Sequence, residues 1–309
     1  MADIVICETM DQAAVDSLSN EFDVLFDPDL VNRTDDLKAA LADARAILVR
    51  NLTQVRGEIL EAAPNLVAVG RLGVGLDNID LDACAARGIQ VFPATGANTD
   101  SVAELVMGAI FVLFRRGFHA TERVLDGSWP RLELGGREVQ GHHIGIVGFG
   151  VIGRAVALRA KPMGMTISAF DPQVSDNDPI WAELSVTPAS FDEIIETSDV
   201  VSLHVPLIDQ TRNLIDADVF KRMKSRSILI NAARGGIVDE AALAEALKSG
   251  KLFGAFLDVF DKEPVQAGSV FEGVPNLIAA PHIGAMTEES NTRVSSLTAD
   301  NVRKALNGE

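Results

Sequence analysis

The segment HIGIVGFGVIGRAVALRAKPMG (143–164) reads as a strand, a glycine turn and a helix in direct succession. Its apolar run ends at Gly148, and Gly148, Gly150 and Gly153 stand in the spacing GxGxxG. The spacing alone is common; the strand before it and the helix after it make it specific. Gly148 permits a tight turn, Gly150 lets the backbone approach a pyrophosphate, and Gly153 lets the helix lie close on the strand. The helix N-terminus then faces the anion. A second strand, TISAF (166–170), leads to Asp171, eighteen residues after Gly153. A carboxylate there accepts hydrogen bonds from the adenosine ribose and repels a 2′-phosphate, favouring NAD over NADP. The competing reading of Asp171, ahead of Pro172, is a plain turn residue.

The same rhythm runs on both sides of this segment. Short β-branched runs, DIVIC (3–7), DVLF (23–26), AILVR (46–50), LVAVG (66–70) and IQVF (89–92), alternate with helical patterns such as DDLKAALADA (35–44). After a long helix at about 99–118 the pattern restarts with 143–148 and 166–170. It continues with VVSLH (200–204), SILIN (227–231), GAFLDVF (254–260) and LIAA (277–280). Strands separated by helices of this size predict βαβ units and parallel sheets. The expected fold is α/β, with two doubly wound, Rossmann-like domains facing each other across a cleft.

At 309 residues, 47% hydrophobic and 23% charged, the chain has the composition of a folded protein of two ordinary domains. A net charge of −17 argues against nucleic acid or an anionic membrane as partner, since either needs a basic footprint. An anionic substrate must instead be drawn in by a local group of arginines. MADIVICETM lacks the basic start of a signal peptide, and LVMGAIFVLF (105–114) is too short to span a bilayer. It reads as a buried helix at a domain or subunit junction. Cys7 and Cys84 show no metal-ligand spacing, so a reducing cytoplasm and no metal are expected.

Ligands of open parallel sheets bind beyond the carboxyl ends of the strands. Three chemically useful groups follow three later strands: Arg234 in ARGG, a carboxylate of Asp261 or Glu263 in DKEP, and His282 in PHIGA. Arginine can clamp a carboxylate and polarise a carbonyl. Histidine can give or take a proton, and a carboxylate partner orients it and stabilises its protonated form. Together they suit hydride and proton transfer to or from a 2-hydroxy acid. Taken singly, each has a bland reading: a salt-bridge arginine, a turn glutamate before Pro264, a hydrogen-bonded structural histidine. Of the other histidines, His142 and His143 read as surface residues, His204 as a lining residue, and His119 carries no assigned role.

The ordered set GFGVIG, Asp171, HVPL (204–207), INAARGGIVDEAAL (230–243), LDVFDKEP (257–264) and PHIGA (281–285) resembles the D-isomer-specific 2-hydroxyacid dehydrogenases. The resemblance covers essentially the whole chain, including GRLGVGLDNIDLDACAARGI (70–89), and is closest to the 3-phosphoglycerate dehydrogenase branch. It implies Arg234, Glu263 and His282 as the catalytic set, with His282 the general acid/base. It implies cofactor contacts from Gly148, Phe149, Gly150, Val151, Ile152, Gly153 and Asp171, and from His204, Val205, Pro206, Thr211, Ala232, Ala233, Asp258 and Gly284. The N–H groups of Val74 and Gly75 are expected to hold the substrate carboxylate. A flavodoxin-like substrate domain (1–98 plus 287–309) and an NAD-binding domain (99–286) follow from it, as does a homodimer formed through the latter. The C-terminal regulatory domain of some longer phosphoglycerate dehydrogenases is expected to be absent.

Arg50, Arg71 and Arg131 stand where the phosphoglycerate enzymes hold the far anion of the substrate, which implies a 2-hydroxy acid with a second anionic group. 3-Phosphoglycerate ranks first and sulfolactate close behind; the (S) label of sulfolactate describes the D-type arrangement, because its sulfonate-bearing carbon outranks the carboxyl. Asn51 departs from the serine usual after Arg50 and weakens the first choice. A corepressor-like NAD-binding protein and a formate dehydrogenase are the competing readings. The latter is expected to pair its histidine with glutamine rather than Glu263.

Overall fold

The computed structural model describes residues 2–116 and 120–308, so His119 lies outside the described residues. The chain divides into two compact units, Met1–Asn98 with Ala285–Glu309, and Thr99–Gly284.

The first unit is a five-stranded parallel sheet with β1 (Ile4–Ile6), β2 (Val24–Phe26), β3 (Ala46–Val49), β4 (Ala68–Arg71) and β5 (Gln90–Pro93) in the order β2-β1-β3-β4-β5. Helices α1 (Gln12–Ser19), α2 (Thr34–Leu41), α3 (Gly57–Glu61) and α4 (Leu81–Ala86) make the crossovers. Strands covered on both faces need apolar side chains at every position. Accordingly Ile4, Ile6, Ala46 and Leu48 face one core while Val5, Ile47 and Val49 face the other. The terminal helix Glu288–Asn307 buries Val294, Ala299 and Val302 in the first of these cores. A Cβ on Gly70 would lie 2.7 Å from Thr298 and 2.9 Å from Val302, so only glycine in β4 admits that helix.

The second unit begins with α5 (Thr99–Arg115) and α6 (Thr121–Leu125). Its seven strands are β6 (His143–Val147), β7 (Thr166–Phe170), β8 (Thr187–Pro188), β9 (Val200–Leu203), β10 (Ile228–Asn231), β11 (Gly254–Leu257) and β12 (Leu277–Ala279). Between them lie α7 (Val151–Ala160), α8 (Ile180–Leu184), α9 (Phe191–Thr197), α10 (Ala217–Arg222) and α11 (Glu240–Lys248); the terminal helix is α12. The strand order β12-β11-β10-β9-β6-β7-β8 reverses between β6 and β9, the switch point at which doubly wound sheets take dinucleotides. The apolar helix α5 buries Val106, Ile110 and Phe114 in the core on one face of this sheet. No helix among the described residues is long and apolar enough to cross a membrane.

Part of the acidic surplus is structural: Asp11, Asp80, Asp216 and Asp239 each accept backbone N–H groups at a helix start. Sequence reasoning missed the two-residue edge strand β8, in which a proline leaves almost no strand signal. His142 and His143 correct the surface reading. His142 packs edge-on against Phe114 with ring centroids 5.1 Å apart, and His143 pairs through Nε2 with the buried Ser168 at 2.9 Å.

Candidate active site

Each fingerprint glycine has a distinct steric reason. Gly148 has φ +94°, and a Cβ there would lie 2.5 Å from the His204 carbonyl. Gly153 abuts the strand so closely that a Cβ would fall 2.3 Å from Gly148 O. Gly150, the N-cap of α7, has nothing within 4 Å of a Cβ, so open space lies over the free N–H groups of the helix start. Between them Phe149 stacks on Trp181 at 4.6 Å, Val151 is exposed, and Ile152 is half-buried.

Asp171, just past β7, accepts the Phe149 N–H at 2.7 Å through one oxygen and the Gln173 N–H at 2.9 Å through the other. A carboxylate offers about four acceptor positions, so capacity remains for ribose hydroxyls. Asp171 lines a cavity of about 650 Å³ with Pro172, Asp176, Trp181, Ser190 and Glu193, and the lining includes no lysine or arginine. Such a surface suits an uncharged ribose edge and opposes a phosphate. Past β9, the His204 Nε2 pairs with Ser202 Oγ at 2.9 Å, and burial pushes the imidazole down to about 4, so it is neutral. Thr211 closes the loop holding Val205 and Pro206: its hydroxyl donates to Pro206 O at 2.6 Å and accepts from Ile208 N at 2.8 Å. These residues fit an NAD molecule laid across the switch point.

The neighbouring strands β10, β11 and β12 carry the expected catalytic residues at their carboxyl ends. After β10, the buried Asn231 pins the turn through Ala232, Ala233 and Arg234: its Nδ2 donates to Arg234 O at 2.9 Å and its Oδ1 accepts Ala233 N–H at 3.0 Å. The Arg234 guanidinium donates to Ala233 O at 2.6 Å. Past β11, Glu263 accepts Phe260 N–H at 2.9 Å through Oε1 and His282 Nδ1–H at 2.7 Å through Oε2. An ionised carboxylate can only accept, so the Nδ1 proton is fixed and Nε2 is left as the acceptor of the ring. The His282 side chain keeps 40% exposure, which leaves Nε2 accessible.

His282 itself has φ +57°, a left-handed conformation rare for a residue of its size. Asp258 explains how it is held. Buried to 1% exposure, its two oxygens accept Ile283 N–H at 2.8 Å and Gly284 N–H at 2.7 Å, and Ser101 Oγ donates to Gly284 O at 2.7 Å. Burial pushes the Asp258 carboxyl up, and those two N–H bonds counter it. Gly284 is needed because a Cβ would lie 2.9 Å from Asp258 Oδ2.

In the first unit the residues after β3 and β4 are equally constrained. Arg50 donates through Nε to Thr9 O at 2.6 Å and through Nη2 to Asn291, so its guanidinium is already engaged within the unit. Asn51 beside it is exposed. Arg71 folds over its own loop, donating to Gly75 O and Leu72 O at 2.8 Å each; a Cβ on Gly73 would fall 1.7 Å from its Nη1. The N–H groups of Val74 and Gly75 find no acceptor among the described residues. Arg131, in the second unit, is exposed.

Sequence reasoning missed three buried organisers: Asn231, Glu8 and Asn78. Glu8, 5% exposed, accepts the N–H groups of Arg50, Leu52 and Thr53 at 2.9, 3.3 and 3.0 Å, and Asn78 donates to the carbonyls of Arg50 and Thr53. An acid directly after a buried strand was the available signal for Glu8.

Comparison with known proteins agrees with this geometry. Residues 107–284 match the NAD binding domain of the D-isomer specific 2-hydroxyacid dehydrogenases. The chain is 51% identical over 306 residues to the (S)-sulfolactate dehydrogenase of Chromohalobacter salexigens, covering 99% of each chain. It is 39% identical to the D-3-phosphoglycerate dehydrogenase of Mycobacterium leprae, covering 99% of this chain but 57% of that one. Among solved structures, the TT0316 protein of Thermus thermophilus superposes with a TM-score of 0.88 at 32% identity, over 99% of this chain and 97% of that one. The chain thus belongs to the D-isomer-specific 2-hydroxyacid dehydrogenase family, NAD-dependent oxidoreductases that act on the CH–OH group of 2-hydroxy acids.

Proposed function

We propose that the substrate is (S)-sulfolactate, oxidised at C2 to sulfopyruvate with reduction of NAD⁺ and release of a proton. The observation that carries this reading is the end-to-end 51% identity to a sulfolactate dehydrogenase, against 39% to a phosphoglycerate dehydrogenase of which the chain spans 57%. Asn51 after Arg50 supports the same order, and 3-phosphoglycerate, first on motifs alone, becomes the second reading.

In this reading His282 Nε2 takes the C2 hydroxyl proton. Glu263 keeps Nδ1–H in place and stabilises the imidazolium that forms. Arg234 holds the substrate carboxylate and polarises the C2 oxygen. Val74 and Gly75 offer N–H groups to that carboxylate, and Arg50, Arg71 and Arg131 are assigned to the sulfonate. NAD, held by the glycine turn 148–153, Asp171 and the 204–211 loop, supplies the hydride acceptor when bound. A homodimer formed through the NAD-binding unit, in the cytoplasm, belongs to the same proposal.

The test compares lactate, glycerate, malate, 3-phosphoglycerate and sulfolactate by kcat/KM at 340 nm, in both directions. Sulfolactate is expected to lead, with Arg71→Ala losing activity selectively on the dianions. Preference for an uncharged-tail substrate would refute the reading.

A further inference from the structure

At the amino-terminal edge of the seven-stranded sheet, opposite His282 and the glycine turn, three arginines converge on one ring. The guanidinium carbons of Arg116, Arg137 and Arg226 lie 5.3, 5.7 and 5.1 Å from the centroid of Phe253, the residue before β11. Arg137 also lies 4.9 Å over Phe114. Lys224 adds a fourth cation: its Nζ meets Asp199 at 2.6 Å, and Arg137 Nη2 reaches the same carboxylate at 3.7 Å. Among the described residues Asp199 is the only acid bonded to this group. Glu133, which also acts on Arg116, is already paired with Arg123 at 2.6 Å.

Among the described residues this cluster carries more positive charge than the acids bonded to it, in a chain of net charge −17. Most guanidinium donors are unspent: Arg137 donates to Arg226 O at 3.0 Å and Arg116 to Asn276 Oδ1 at 3.4 Å. Arginines stacked on an aromatic face keep their N–H edges free for planar, bidentate contacts with an oxyanion. Two of the three occupy left-handed backbone positions that glycine would adopt freely, Arg116 at φ +48° and Arg226 at φ +63°. Arginine thus stands at two sites where the backbone favours glycine. Some of the stacking serves stability, because a cation over an aromatic ring is attractive in itself. One ring, however, gives no reason to gather three like charges.

We propose that this cluster is a second anion site, for a small polyanion bearing phosphate. It lies at the opposite strand ends from the glycine turn and His282, about 13 Å away along the strands. The strongly negative field of the whole chain disfavours nucleic acid and anionic membranes, so the ligand is a small molecule. Free phosphate and the phosphate chain of a nucleotide share the required chemistry, and the experiment separates them.

The test uses the whole protein with NAD⁺ at saturation, so that the dinucleotide site is filled. Binding of inorganic phosphate and of a nucleoside triphosphate is measured by calorimetry and by Tm, against sodium chloride of equal ionic strength. The comparison is Arg116→Gly/Arg226→Gly, in which both replacements suit the backbone and leave the catalytic residues untouched. Wild type is expected to bind and to melt higher; the double variant should bind at least about tenfold more weakly, with turnover in chloride unchanged. A triphosphate binding more tightly than phosphate, with the same variant sensitivity, assigns the site to a nucleotide; equal binding assigns it to free phosphate. No response in wild type, or an equal response in the double variant, overturns the proposal.

Discussion

Glu263→Gln isolates what the carboxylate does for His282. The side chain keeps its length, and its one oxygen must serve either Phe260 N–H or His282 Nδ1–H, both of which Glu263 satisfies at 2.9 and 2.7 Å. If the amide oxygen stays on Phe260, the amide NH₂ faces Nδ1 and drives the ring to the tautomer protonated on Nε2, which cannot accept the substrate proton. If the amide flips, its NH₂ opposes the Phe260 N–H instead. Either way one charge-assisted hydrogen bond is lost, worth about 1.5–3 kcal/mol. Because both side chains are about a third exposed, the lower half of that range applies, or roughly a ten- to fortyfold fall. At saturating substrates kcat for hydroxyacid oxidation, which needs Nε2 free, should fall more than kcat for ketoacid reduction, which needs Nε2 protonated, while kcat/KM in the two directions stays tied by the equilibrium constant. Steady-state kinetics in both directions, with NADH binding followed by fluorescence, measures this. An equal loss in both directions with weakened NADH binding would refute the tautomer argument and make Glu263 merely structural.

Two further outcomes follow from the cofactor side. Asp171→Ala removes the acceptor of the Phe149 N–H and of the ribose, so KM for NADH should rise about ten- to a hundredfold. The preference over NADPH should narrow in kcat/KM; an unchanged ratio would place the discrimination in Asp176 or Glu193. His204 is held neutral, with its imidazole lowered from 6.5 to about 4. Its contribution to stability is thus complete above pH 6.5 and is lost as pH falls towards 4, where the unfolded chain takes a proton that the folded one refuses. His204 is only half-buried, so the full shift is discounted to about 2 kcal/mol. The difference in unfolding free energy between wild type and His204→Gln should vary with pH only within that window.

The doubly wound sheets were legible because parallel strands buried on both faces must be apolar at every position. Residues 4–6 and 228–230 therefore stand out as apolar runs. The glycine roles were legible because turn, close approach and helix packing each demand the missing side chain at one spacing. Pairing of Glu263 with His282, nineteen residues apart, was not readable from spacing and entered through the family resemblance. Contacts that bring distant segments together left no periodic signal. Glu8 under the 50–53 loop and Asp258 under the His282 turn are of this kind, as is Arg50 tied to Asn291, which lies 241 positions on in sequence. Nor could the sequence show that Arg226 stands in a left-handed turn, because nothing in its neighbours Ser225 and Ser227 marks one.

The role of His282 as proton acceptor is tested most directly by His282→Ala, assayed for NADH binding and for single-turnover hydride transfer with sulfolactate. Nucleotide binding should be retained, because the cofactor residues 148–153 and Asp171 lie on other strands of the sheet. Hydride transfer should fall by about 10²–10⁴-fold, the usual contribution of a general base. A variant that transfers hydride at near the wild-type rate would contradict the assignment of His282.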